Sequence, residues 1–186
     1  MIKLEELKSE ILKCSKCSIG CQQIDGKVSN VFSNMGQSKI MVVGQNPGAT
    51  EVRLGLPFVG PSGAFFDKAI SEVLKIDRSK LYITNTVKCF TPGNREPSPD
   101  EIQNCQSWLE REIEIVNPSI VVTLGNPALK QITGYPSIGK MHGQIIFSLR
   151  YKRNVLPLYH PSPLNTNRPK IRAEFLKDLE LLREFL

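Results

Sequence analysis

Nowhere in the 186 residues does an uninterrupted apolar run approach the roughly 18 that a membrane span needs. The opening MIKLEELKSEIL mixes acids with lysines and builds no signal-peptide core, so a cytoplasmic protein with no membrane partner is expected. Acidic residues are in deficit, 18 Asp and Glu against 24 Lys and Arg, which leaves a formal net charge of +6. The basic groups gather in KCFTPGNR, SLRYKRN and NRPKIR, in or beside expected loops, and point to a surface that faces phosphate. Familiar catalytic signatures are missing as well. There is no GxxxxGK[ST] loop, no G-x-G-x-x-G turn, and no Ser or Cys nucleophile paired with a base. Internal repeats, low-complexity segments and Gly/Ser linkers are also absent, so residues 1–186 read as one domain.

Complete disulfide pairing is excluded by an odd count of 5 cysteines, and nothing else suggests secretion. Cys14 and Cys17 form C-x2-C, while Cys89 and Cys105 frame FTPGNREPSPDEIQN. Four thiolates gathered by folding suit tetrahedral zinc or an iron–sulfur cluster, both thiolate-seeking centres. Isolated buried thiols are the plainer alternative. Cys21 follows closely and reads as the spare. Such a site has a structural task available, tying the N-terminal segment to the loop after the second strand.

Four short apolar runs, KIMVVG (39–44), LYITNTV (81–87), SIVVTLG (119–125) and VLPLYH (155–160), have the continuous character of strands covered on both faces. Helical patterns lie between them. SGAFFDKAISEVLK carries Phe66, Ala69, Ile70 and Val73 at helical spacing, and Ser98-Pro99 marks an N-cap and first helical position. NPALKQIT begins a third helix, and the C-terminal stretch sets Ile171, Phe175, Leu179 and Leu182 along one stripe. The alternation predicts an α/β fold, a four-stranded parallel sheet between helices in a three-layer α/β/α sandwich.

Ligands of open parallel sheets bind beyond the carboxyl ends of the strands, and polar residues collect at those positions here. GQNPG (44–48) follows the first strand, Asn85 lies near the end of the second, GNP (125–127) follows the third and YHPSPL (159–164) the fourth. Gln45, Asn46, Asn85 and His160 are thereby expected around one pocket, although each alone could be a loop or turn-capping residue. A side-chain amide offers both a donor and an acceptor, which matches the O4 and N3–H of uracil, whereas cytosine reverses the pattern. Phe58 in LPFVG offers a stacking face, or is one more core aromatic.

These pieces carry a resemblance. The C-x2-C at 14–17, GQNPGATE (44–51), GLPFVGPSG (55–63), YITNTVKCFTPGNREPSPDEIQNC (82–105) and HPSPL (160–164) resemble the uracil-DNA glycosylase superfamily, most closely its family 4, the iron–sulfur-containing bacterial and archaeal branch. The resemblance implies a four-stranded parallel sheet between helices, with the N-terminal segment tied by a [4Fe–4S] cluster on Cys14, Cys17, Cys89 and Cys105. It implies DNA containing uracil as partner and hydrolysis of the N-glycosidic bond after the nucleotide flips out, with no covalent trapping and no lyase step. Phe58 would stack on the flipped base, Asn85 would read its edge, Gln45 would help line the pocket, and His160 would donate to O2 as charge develops there. Leu164 would fill the vacated stack, or else pack down, while Arg168 and Lys170 would contact phosphate.

The chain departs from the family 4 pattern at the first motif. Gln45-Asn46 stands where that branch has Glu followed by a small residue, and Glu51-Val52 where it has an acidic pair. The Gln resembles family 1, and an Asn at the next position resembles the mismatch-specific and single-strand-selective branches. Asn46 could orient the attacking water, with Glu51 as the alternative. Gly48 lacks the bulk of the family 1 tyrosine that excludes thymine, which leaves a broadened range of deaminated bases open. A non-catalytic module that binds uracil or damaged DNA, and a zinc-stapled structural domain, are the competing readings. One subunit suffices for the reaction, so a monomer is expected.

Overall fold

Strands in this chain form where it runs continuously apolar, and helices where apolar residues repeat with a helical period. The computed structural model describes residues 2–20, 23–24, 27–28 and 38–186; Cys21 lies outside them. Helix α1 (Ile2–Leu12) is followed by a two-stranded antiparallel ribbon, β1 (Gln23–Ile24) and β2 (Lys27–Val28). Then come β3 (Ile40–Gly44), α2 (Ala49–Leu54), α3 (Pro61–Leu74), β4 (Tyr82–Asn85), α4 (Pro99–Val116) and β5 (Ile120–Leu124). The chain closes with α5 (Asn126–Thr133), β6 (Ile146–Ser148), β7 (Arg153–Leu158), α6 (Pro163–Thr166) and α7 (Pro169–Leu179), the last running into a 3-10 turn over Glu180–Phe185.

The main sheet has the order β4-β3-β5-β7-β6. Its first four strands are parallel, as the apolar runs predict. The expectation of four strands is corrected by a fifth, β6, which pairs antiparallel with β7 and makes the sheet mixed. Only 3 residues long, β6 is too short to show a strand pattern. Its turn falls within the basic SLRYKRN stretch, where Lys152 takes a left-handed φ of 51°. Ser148 secures the turn, accepting from Tyr151 N at 3.3 Å and donating to Ile132 O at 2.6 Å.

Alternation along each strand sends residues to two cores. Ile40, Val42, Ile83, Val122 and Leu156 face α3 and α7, meeting Phe66, Ile70, Phe175 and Leu179. Met41, Val43, Tyr82, Val121 and Val155 face the other way, against Leu109 and Ile113 of α4, Ala128 and Ile132 of α5, and Leu4 of α1. Each fully buried Val, Leu or Ile contributes about 1.5–3 kcal/mol, so both layers are held chiefly by burial. The expected α/β/α layering is present. Helix α4 begins as the sequence implies, with Ser98 capping Glu101 N, Glu101 reaching back to Ser98 N, and Pro99 at the first position. In the C-terminal stripe, Phe175, Leu179 and Leu182 are buried.

Chain order reverses at β3, which lies between β4 and β5. The carboxyl ends of β3, β4 and β7 all open towards the same rim, where such sheets bind ligands.

Candidate active site

Six sequence-predicted residues converge at that rim. Gln45, Asn46, Glu51, Phe58, Asn85 and His160 line a single cavity of about 330 Å³, together with Gly60, Ser62 and Asn94. Strand register explains the convergence: Gly44 pairs with Asn85 across β3 and β4, and the turn after Gly44 carries the two amides.

The loop after β3 is held by Glu51. Its carboxylate accepts from Gly48 N at 3.1 Å, Val59 N at 3.0 Å and Gly60 N at 2.7 Å, closing residues 48–60 into one unit at the start of α2. Charged hydrogen bonds of this kind are each worth about 1.5–3 kcal/mol. That loop carries Phe58, which adopts a left-handed φ of 58°. Strain there costs about 1–3 kcal/mol and survives only where neighbours enforce it. Arg78 does so, its guanidinium donating to Pro57 O at 2.6 Å and Phe58 O at 3.0 Å while pairing with Asp67 at 3.0 Å. Gly63 leaves room for Phe58, since a Cβ there would lie 1.9 Å from Phe58 O. The Phe58 ring sits edge-on to Phe66, with centroids 5.8 Å apart, and to His160, 5.9 Å apart.

His160 follows β7. Burial holds its imidazole below the ordinary pKa of 6.5, so the ring is neutral at physiological pH. No side chain hydrogen-bonds to the ring among the described residues. Gly125, at φ 85°, makes room for it, because a Cβ there would stand 3.1 Å from His160 Cβ. Asn165 donates to His160 O at 2.8 Å and ties the strand end to α6.

Asn85 is buried, and its amide has no hydrogen-bond partner among the described residues. Asn85 lines the cavity, so its unmatched amide is open to a ligand there. Its backbone is fixed by Lys88, whose ammonium donates to Asn85 O at 2.6 Å, to Thr84 Oγ1 at 2.8 Å and to Glu112 at 2.5 Å. Tyr82 and Thr84 also donate to Glu112. Burial, with the Glu112 carboxylate next to it, pushes the Tyr82 phenol far up. Asn46 donates through its amide nitrogen to Pro47 O at 3.2 Å and Thr91 Oγ1 at 3.3 Å.

Leu164, Arg168 and Lys170 do not line the cavity. They stand exposed beside it in sequence, on α6 and the start of α7, with Leu164 72% exposed.

Cys14, Cys17, Cys89 and Cys105 form a second centre, between α1 and α4, packed with Leu7, Ile11, Ile19, Val87 and Trp108. The Lys88 backbone N–H donates to Cys105 Sγ at 3.4 Å and the Trp108 indole to Cys14 Sγ at 3.3 Å. Burial pushes the Cys105 thiol up, and Cys17 and Cys14 are near enough to act on it electrostatically. Among the described residues, no three His, Cys, Asp or Glu side chains close up around a point where a single ion would sit. Two buried thiols, Cys89 and Cys105, and two half-buried ones, Cys14 and Cys17, with N–H donors aimed at sulfur, have the chemistry of thiolate ligands.

Sequence reading missed Arg78, Thr91 and the Lys88–Glu112 pair. Signals existed for the pair: Lys88 ends an apolar strand run, and Glu112 falls at i+4 from Trp108 on the buried face of α4. Charges in such places need partners. Nothing local marks Arg78, whose partners are 11, 20 and 21 residues away.

The sequence model of the Uracil DNA glycosylase superfamily matches residues 31–182. The chain is 35% identical to the type-4 uracil-DNA glycosylase of Sulfurisphaera tokodaii, covering 99% of this chain and 85% of that one. Identity to the type-4 uracil-DNA glycosylase of Saccharolobus solfataricus is 36%, over 100% and 88%. With the type-4 enzyme of Thermotoga maritima it is 36%, over 99% and 95%. With residues 31–182 matched by that model and full-length relatives above 30% identity, the chain belongs to the uracil-DNA glycosylase superfamily.

Proposed function

We propose that the protein is a DNA-repair uracil-DNA glycosylase, which hydrolyses the N-glycosidic bond of uracil in DNA and leaves an abasic site. The observation that carries this reading is the cavity itself, where Phe58, Asn85 and a neutral His160 converge in a member of this superfamily. The target nucleotide rotates out of the duplex at a cost of a few kcal/mol, least for a mispaired base. Phe58 offers the base an apolar wall. The unmatched Asn85 amide pairs with O4 and N3–H, and a cytosine presenting the reverse pattern leaves buried polar groups unpaired, a mismatch that can exceed about 10⁴-fold in rate.

The bond from C1′ to N1 breaks with its electron pair leaving on uracil, and water adds at C1′. His160, held neutral by its partial burial, donates one N–H towards O2 as negative charge develops there. Asn46 presents its carbonyl oxygen to the water, since its nitrogen is held by Pro47 and Thr91. Glu51, with three backbone N–H groups on its carboxylate, serves as the loop's anchor instead of the water's base. Gln45 completes the wall. Among the described residues, no lysine lines the cavity.

Leu164 is the wedge for the vacated stack, and Arg168 and Lys170 meet phosphate. Cys14, Cys17, Cys89 and Cys105 would hold a [4Fe–4S] cluster, which would supply a structural tie between α1, α4 and the loop after β4. Residues 1–186 act as one domain, and one chain carries the whole cavity. The reading is tested by mixing the protein with a uracil-containing duplex and measuring free uracil by chromatography. Release supports it; tight, salt-sensitive binding without release points to a binding module.

A further inference from the structure

We infer that Thr91 is a positioning residue for the reaction, one that sets which end of the Asn46 amide faces the substrate. The inference rests on the glycosylase reading above and adds a residue to it. Thr91 is fully buried and has one hydroxyl proton. That proton goes to Arg95 O, at 2.5 Å. The oxygen of Thr91 is therefore left able only to accept, and it accepts from Asn46 Nδ2 at 3.3 Å. The second proton on that nitrogen goes to Pro47 O, also an obligate acceptor, at 3.2 Å. Turning the amide over would bring its oxygen against two acceptors, so the nitrogen is locked inward and the oxygen is presented to the cavity.

The lock has its own support. Arg95, whose carbonyl takes the Thr91 proton, grips Glu101 with two hydrogen bonds of 2.8 and 2.6 Å. Glu101 is in turn the capping partner of Ser98 at the start of α4. The loop from Cys89 to Ser98 is thus braced at the helix, and its hydroxyl reaches across to the turn after β3. A water held by the Asn46 oxygen is oriented for attack only while that chain of directed hydrogen bonds runs one way.

Thr91→Val keeps the shape and removes the hydroxyl. In single-turnover assays on uracil-containing duplex, Thr91→Val is expected to slow release about fivefold or more, the scale of one lost hydrogen bond, while DNA affinity changes by less than about twofold. Thr91→Ser is expected to restore the rate. In an Asn46→Ala background, Thr91→Val is expected to cause no further loss, because the group it orients is gone. A Thr91→Val protein that matches the wild type, or that loses the same factor with and without Asn46, would overturn the inference, as would an Asn46→Ala variant of undiminished rate. Absence of release by the wild type would instead strike the glycosylase reading on which it rests.

Discussion

His160 and Asn46 are prepared in opposite ways. The imidazole is half-buried with no hydrogen bond to its ring among the described residues, so its whole donor capacity remains for a ligand. The Asn46 amide is held at its nitrogen by two acceptors and offers one atom in one direction. His160→Ala is expected to slow uracil release about 10²-fold or more, with much less effect on DNA binding, because the donor acts where charge develops. Since burial lowers the folded pKa below 6.5, a proton added below that pH goes first to the unfolded chain. Stability from this group is present above pH 6.5 and declines as pH falls through the lowered value, and the acid limb of the rate profile is expected below 6.5 as well. Gln45, Asn46, Asn85 and His160 were legible because motifs at strand ends mark them, and Phe58 because LPFVG does. Thr91 and Arg78 were not, because their meaning lies in backbone carbonyls that only the folded chain brings near.

Single elements hold these residues in place. The loop from Gly48 to Gly60 has no regular structure at its end, yet it presents Phe58 in a strained conformation, and two charged side chains secure it. Arg78→Ala leaves two carbonyls and the half-buried Asp67 without their partner. It is expected to lower stability by about 1–3 kcal/mol in chemical denaturation and to slow release further than that loss explains. Arg78→Lys is expected to recover only part, since an ammonium lacks the fork that spans both carbonyls. Helix α1 depends on a different tie. It packs on α4 through Leu7, Ile11 and the thiol set, with a salt bridge from Glu10 to Arg111 at 2.5 Å. Cys89→Ser is expected to give a protein without the brown colour and broad visible absorption of an iron–sulfur centre, and with early hydrogen exchange in α1 while the sheet stays protected. A colourless wild type with bound zinc would contradict the cluster assignment. The strand β6 shows why one element escaped sequence reading: 3 residues at a sheet edge take their register from β7 and not from their own pattern.

Across the whole molecule, the sheet supplies a rim on which remote residues meet, and the net charge of +6 supplies attraction for a polyanion. Four parallel strands and the layering could be read in advance because central strands are buried on both faces and leave continuous apolar runs. Among the described residues, no helix is long and apolar enough to cross a membrane. Leu164, Arg168 and Lys170 follow closely on the strand end that bears His160, and in the proposed reading a duplex seated on them puts an extruded base within reach of the cavity. The central claim is that this cavity breaks a glycosidic bond. It is tested most directly with an end-labelled duplex holding one uracil, incubated with the wild type and with His160→Ala, then treated with alkali. The account predicts strand cleavage at the uracil for the wild type, strongly slowed cleavage for the variant, and an intact strand when thymine replaces the uracil. A uracil strand that survives alkali intact after incubation with the wild type would contradict it.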